Sequence, residues 1–166
     1  CGSFTAGGLD VVVGDGKPFI AALVGAVEGV LAPRDLQLIT ASHHDDADRQ
    51  RRIVRTLVER RVDALIMIAA PGDAGYLQPE IDHGLVVVAL DRPLEGVQVD
   101  TVVVDNQAGS AKAVDMLAGR GHHRIALLGN DERLWTLQRR YDGYCTGLAA
   151  RGLAFDPALV ELNCDD

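Results

Sequence analysis

Short, nearly unbroken apolar runs alternate along the chain with longer segments whose apolar residues recur every three or four positions. The runs are LDVVVG (9–14), LQLITA (36–41), DALIMIA (63–69), LVVVAL (85–90), TVVVD (101–105) and RIALLG (124–129). A strand with one wet face alternates apolar and polar residues. A run without polar interruption fits a strand covered on both faces, as in a parallel sheet. The segments between the runs read as helices. In PFIAALVGAVEGVLA (18–32), Pro18 stands where a first helical turn accepts it, and Ile20, Leu23, Val24, Val27 and Leu31 share one face. In DADRQRRIVRTLVERR (46–61) the apolar stripe is Ile53, Val54, Leu57 and Val58, and the other face is rich in arginine. NQAGSAKAVDMLAGRG (106–121) starts with Asn106 as N-cap and stops at Gly121, and WTLQRRYDGYCTGLAARG (135–152) is closed by Gly152. ALVELN (158–163) supplies a last strand. Such alternation gives an α/β fold of parallel sheets flanked by helices, joined by right-handed crossovers. DRPLEGVQVD (91–100) is the longest stretch without a period and is expected to be a surface loop.

Composition narrows the function. At 166 residues, 48% of them hydrophobic, the chain can bury a core; with only 4% aromatics, that core is built from Val, Leu, Ile and Ala. A formal net charge of −8 repels phosphate backbones, which excludes this segment as a nucleic-acid surface in itself. The arginine-rich helix face therefore reads as a solvated face offset by nearby acids. Cys1, Cys145 and Cys164 are odd in number and far apart, which is neither a disulfide framework nor a zinc spacing. They read as reduced thiols of a cytoplasmic protein. No apolar run is long enough for a membrane span, and none reads as a signal peptide. The absence of an initiator Met leads us to expect a longer natural polypeptide.

The patterns that would carry chemistry fail one by one. In GDGKPF (14–19), a phosphate-binding loop needs Gly where Val11 stands and Ser or Thr where Pro18 stands; a dinucleotide fingerprint needs Gly at Phe19. His122 and His123 follow a helix-ending glycine and precede a strand. Adjacent residues there point to different sides and cannot readily share one ion, so the pair is expected to be a joint rather than a metal site. No nucleophile stands beside a histidine–acid pair. No enzyme, catalytic residue, metal or cofactor is expected.

The stretch GRGHHRIALLG (119–129), with VVVDNQAGSAKAVDML (102–117) before it, resembles the effector-binding core of the LacI/GalR family of bacterial transcription regulators. RQRRIVRTLVERRVDALIMIAA (49–70), VVVALDRPL (86–94) and RRYDGYCTGLAARGL (139–153) extend the resemblance over nearly the whole chain. It implies a two-subdomain, periplasmic-binding-protein-like fold with effector bound in the cleft between subdomains. Residues 8–104 would form most of the N-terminal subdomain. Residues 106–166 would begin the C-terminal one, which is incomplete because the family continues further. A first hinge crossing would lie at Asp105 and Asn106, whose other reading is helix capping. The family's DNA-binding helix-turn-helix is expected to lie outside this chain.

Open α/β sheets bind ligands beyond the carboxyl ends of their strands. GDGKPF, AAPGD (69–73), LDRP (90–93) and GNDERLWT (129–136) lie there. By the resemblance, Phe19 and Ile20 line the cleft, although both could equally pack beneath their helix. Asp91 can accept hydroxyl hydrogen bonds and Arg140 offers a planar fork of donors, a pair suited to a polyhydroxylated ligand. Their structural alternatives are a turn for Asp91 and an ion pair with Asp142 for Arg140. Trp135 could stack on a ring, and Thr136 could offer its hydroxyl or cap the following helix. The expected protein is the homodimeric core of a LacI-type repressor or related regulator. It would bind a sugar or related polar metabolite and modulate operator binding. The alternative is the solute-binding protein of a sugar uptake system.

Overall fold

The computed structural model describes residues 8–13 and 18–164 of the chain. The Gly14–Lys17 part of GDGKPF and Cys1 lie outside the described residues. Two compact units follow one another, the first ending at Val103 and the second starting at Val104.

In the first unit, β1 (Gly8–Val13), β2 (Gln37–Ser42), β3 (Ala64–Met67), β4 (Val86–Leu90) and β5 (Asp100–Val102) form one sheet in the order β2-β1-β3-β4-β5. Every neighbouring pair is parallel. Alternate residues of a strand face opposite sides, and the segment from β3 onward shows why its run is apolar throughout. Leu65 and Met67 join Val54 and Leu57 of α2 (Ala47–Glu59), together with Leu77, Val87, Ala89 and Leu94. Ile66 and Ile68 face the other way, onto Ile20, Leu23, Val24 and Val27 of α1 (Pro18–Leu31). One run thus serves two cores.

Two expectations need correction here, and one short element was not foreseen. The run at 101–105 is not a doubly covered strand. β5 is a three-residue edge strand, and Val102, Val103 and Val104 are 62%, 43% and 57% exposed. A short 3₁₀ turn (Gly75–Leu77) and α3 (Gln78–Asp82) fill 75–82, where five residues are too few to show a helical period. The 91–100 stretch is a loop, but not one lying wholly on the surface. Leu94 is buried in the core and Asp73 forms an isolated bridge with Glu95.

The second unit packs α4 (Asn106–Gly119) against α5 (Trp135–Ala150), with Val114, Ile125, Tyr144 and Leu148 at the centre. The Tyr144 hydroxyl satisfies itself by donating to the Ile125 carbonyl at 2.8 Å. Among the described residues its sheet is β6 (Leu127–Leu128) beside β7 (Val160–Glu161), shorter than the runs at 124–129 and 158–163 suggest. A ladder lasts only as long as both partners remain in register, and here it has two rungs.

The joint at His122–His123 is a helix stop. Gly121, at φ 89°, donates to the Ala118 carbonyl, and His122 donates its backbone N–H to Leu117. These are the two bonds that close a helix through a left-handed residue. Both histidines are exposed. The end of α2 makes the same pair of bonds, from Arg61 to Val58 and Val62 to Leu57, but with Arg61 at φ 58°. A side chain in that conformation costs on the order of 1 kcal/mol. Arg61→Gly is therefore expected to raise the stability of the first unit by about 0.5–1 kcal/mol in urea unfolding. A loss instead would mean that the arginine side chain contributes more than its backbone costs.

Candidate functional site

At the carboxyl end of β4 the chain turns sharply. Asp91 adopts φ 66° while its N–H donates to Val102 at 2.9 Å. The turn sends Arg92 inward, where it is 9% exposed. Its Nη1 donates to Asp45 Oδ1 at 3.2 Å, and its Nε lies 3.7 Å from Asp91 Oδ2, too far for a hydrogen bond. That Nε is buried without any hydrogen-bond partner among the described residues. Asp45 follows β2 and also has positive φ, 55°, as does His44 at 52°. Left-handed, non-glycine backbone is uncommon and costs on the order of 1 kcal/mol or more per residue. Three such residues stand at the carboxyl ends of two strands, and two of them, Asp45 and Asp91, face one guanidinium. Asp91 retains acceptor capacity for hydroxyl donors.

A second layer holds this end of the sheet. His43, fully buried, bonds the Ile68 carbonyl through Nε2 at 2.7 Å and accepts the Asp45 N–H on Nδ1 at 3.0 Å. The proton therefore sits on Nε2. Gln50, 3% exposed, accepts the Ala70 N–H at 2.7 Å and donates to the Tyr76 hydroxyl at 3.1 Å. Burial pushes the Tyr76 hydroxyl above its ordinary pKa, and the Arg51 guanidinium lies 4.9 Å over its ring. The backbone leaving β3 is thus tied from two sides.

In the second unit, Asp105 rather than Asn106 caps α4, accepting the Ala108 N–H at 2.9 Å. The non-helical residue before the first turn, at φ −72° and ψ 76°, reaches that donor, and Asn106 has already entered the helix. Asn106 is 7% exposed; its Nδ2 donates to the Val104 carbonyl at 3.1 Å and its Oδ1 accepts Arg140 Nε at 2.8 Å. Asp142 pairs not with Arg140 but with Arg139, at 2.9 Å, and Arg139 also lies 5.9 Å over the Trp135 ring. Trp135 opens α5. Thr136 is its second residue, 7% exposed, and does not cap it; the N-cap is Leu134, without a side-chain bond.

Phe19, Ile20 and Asp91 thus belong to the first unit, and Asp105, Asn106, Trp135, Thr136 and Arg140 to the second. Ile20 packs against Ile68 beneath α1, whereas Phe19 stands 52% exposed. Asn106 and Arg140 are hydrogen-bonded to each other, and Asp105 caps the helix that Asn106 begins. Sequence reasoning missed Asp45, His43, Gln50 and Arg92. The rule that singled out the ends of the other strands applies equally to the end of β2, where SHHDD (42–46) stands, and would have found the first two. Among the described residues no group of His, Cys, Asp or Glu is placed to hold a metal, and no helix is long and apolar enough to cross a membrane.

Comparison with known proteins gives this arrangement its context. The family described as periplasmic binding proteins and sugar binding domain of LacI family matches residues 9–166. The transcriptional regulator GalR of Escherichia coli, a helix-turn-helix-type regulator, is 28% identical over 95% of this chain, which spans 46% of its length. A candidate ribose operon repressor from Burkholderia thailandensis superposes with a TM-score of 0.86 at 29% identity, covering 94% of this chain and 60% of that one. The Cra transcriptional dual regulator of Pseudomonas putida, solved with fructose 1-phosphate, has a TM-score of 0.81 at 27% identity, covering 93% and 56%. The relatives it resembles are regulators, and the chain spans about half to three-fifths of their lengths. The chain belongs to the family of periplasmic binding proteins and sugar-binding domains of LacI-type transcriptional regulators.

Proposed function

We propose that this chain is the effector-sensing core of a cytoplasmic LacI-type transcriptional regulator. A small polar molecule of the sugar class binds between its N-terminal part (8–104) and the beginning of its C-terminal part (106–166). Asp91 accepts ligand hydroxyls, the Arg140 fork donates to ligand oxygens, Trp135 stacks on the ring, and Thr136, Phe19 and Ile20 complete the lining. The ligand favours one orientation of the two parts about the Asp105–Asn106 strap, a population shift. A helix-turn-helix outside these residues reads the operator, and the protein works as a homodimer because paired half-sites need paired readers. The observation that supports this reading most is the match of a sugar-binding regulator domain over 9–166. The second reading, the solute-binding protein of a sugar uptake system, shares the family description but not the regulators found among its relatives.

A thermal-shift screen of sugars, sugar phosphates, polyols and nucleobases tests the proposal. At a hundredfold excess over Kd, a bound effector is expected to raise Tm by roughly 5–10 °C. Arg140→Ala should weaken that effector by about ten- to a hundredfold in calorimetry, the worth of charge-assisted hydrogen bonds. A panel without any saturable shift, or unchanged affinity in the variant, would count against it.

A further inference from the structure

Arg140 is half-committed before any ligand arrives. Its Nε–H donates to Asn106 Oδ1 at 2.8 Å, and among the described residues its two terminal nitrogens carry no hydrogen bond. Asn106 is in no position to swing away. It is 7% exposed, its amide nitrogen is held by the Val104 carbonyl at 3.1 Å, and it lies in the first turn of α4, which Asp105 caps. A guanidinium can meet a pair of oxygens through Nε with one terminal nitrogen, or end-on through both terminal nitrogens. Here the first mode is occupied by protein.

We infer that Asn106 is a positioning residue for the effector site. By taking the Nε–H it fixes the guanidinium plane and leaves only the end-on fork for ligand. The fork suits two oxygens carried side by side: a vicinal diol, a carboxylate or a phosphate. The inference rests on the proposed sensing role of Arg140, but its geometric half does not. An arginine left to wander would have to be immobilised on binding, which lowers affinity by about two- to tenfold.

The test uses the full chain with two independent readouts. The first is the ¹⁵N spectrum of arginine side chains. In the parent protein the Arg140 Nε–H is expected to exchange slowly with water and to show little motion. In Asn106→Ala it should behave like the exposed Arg120, and Asn106→Asp, which keeps the oxygen acceptor, should restore it. Fast exchange in the parent protein overturns the inference whatever ligands do. The second readout is calorimetry with fructose 1-phosphate, D-fructose and inorganic phosphate, which separates a diol from a phosphate as the source of the two oxygens. Asn106→Ala should lose about two- to tenfold in affinity for the probe that binds, and Asn106→Asp should recover a diol ligand better than an anionic one, because its carboxylate repels phosphate. Equal affinity in Asn106→Ala and the parent overturns the positioning role. If no probe binds the parent, the sensing reading is what fails, while the spectrum still decides whether Asn106 holds Arg140.

Discussion

Replacing Gly143 by alanine is expected to destabilise the second unit by about 3 kcal/mol or more, enough to lose the α4–α5 pairing. A Cβ at 143 would stand 2.1 Å from the Gln107 carbonyl oxygen and 2.9 Å from Ser110 Cβ. One turn on, a Cβ at Gly147 would meet Val114 Cβ at 2.8 Å and the Ala111 carbonyl at 3.0 Å. Backbone cannot rotate aside as a side-chain tip can, so the axes must part and open the packing around Val114, Tyr144 and Leu148. Alanine gains about 1 kcal/mol over glycine in a helix interior, and the overlap outweighs that gain. Gly109 in α4 is the internal control. A Cβ there meets nothing within 4 Å, so Gly109→Ala should stabilise by about 0.5–1 kcal/mol. Two Gly→Ala changes on one helix pair thus carry opposite signs. Urea unfolding followed by fluorescence of Trp135 on α5 would read both. A neutral Gly143→Ala would mean that the helices are not in backbone contact.

The same contact matters for the site. Asn106 stands next to Gln107, and Arg140 three residues before Gly143, so the 2.8 Å bond between them depends on the close approach that glycine permits. Little of this was legible in the sequence. Hydrophobic period located the strands and the four long helices, because burial on one or two faces writes directly into the order of residues. It overran at 101–105 and 124–129, where sheet edge and short ladder, both non-local, decide how far a strand extends. It missed α3, whose five residues hold too little periodicity. The glycine stops at 121 and 152 were readable, since only a left-handed residue closes a helix that way. The roles of Gly143 and Gly147 were not, because they depend on which face of α4 lies opposite. Of the polar residues, Arg140 and Asp91 could be singled out by position and by resemblance to a family. Arg92 could not: a charged residue in a loop is expected in water, and nothing local says that its partner is Asp45, distant in sequence and at the end of another strand.

Arg92 is also where a single change should cost the first unit most. The guanidinium is 11% exposed at the side chain, with Asp91 at 14% and Asp45 at 24%. One cation thus serves two carboxylates that have lost most of their water. Removing it leaves two like charges at the ends of β2 and β4 without the cation that lies beside both. Breaking a buried pair from one side costs about 3–5 kcal/mol, and partial exposure puts Arg92→Met near the lower end, at about 3 kcal/mol. Asp45→Asn should cost less, about 1 kcal/mol, because the amide oxygen still accepts from Nη1 and no charge is stranded. In the double variant one of the two stranded carboxylates is gone, so its loss should fall short of the sum by about 1–2 kcal/mol. That shortfall, read from urea midpoints, is the signature of coupled charges. Simple additivity would show that Arg92 stabilises through its aliphatic stem alone. The positive φ at Asp45 and Asp91 gives the cluster a further role. Both residues hold strained backbone that the ion pairs offset, so Arg92→Met should also loosen the turn that aims Asp91. Amide exchange would then quicken at Asp45 and Asp91 before it quickens in β3, where Leu65 and Met67 remain buried.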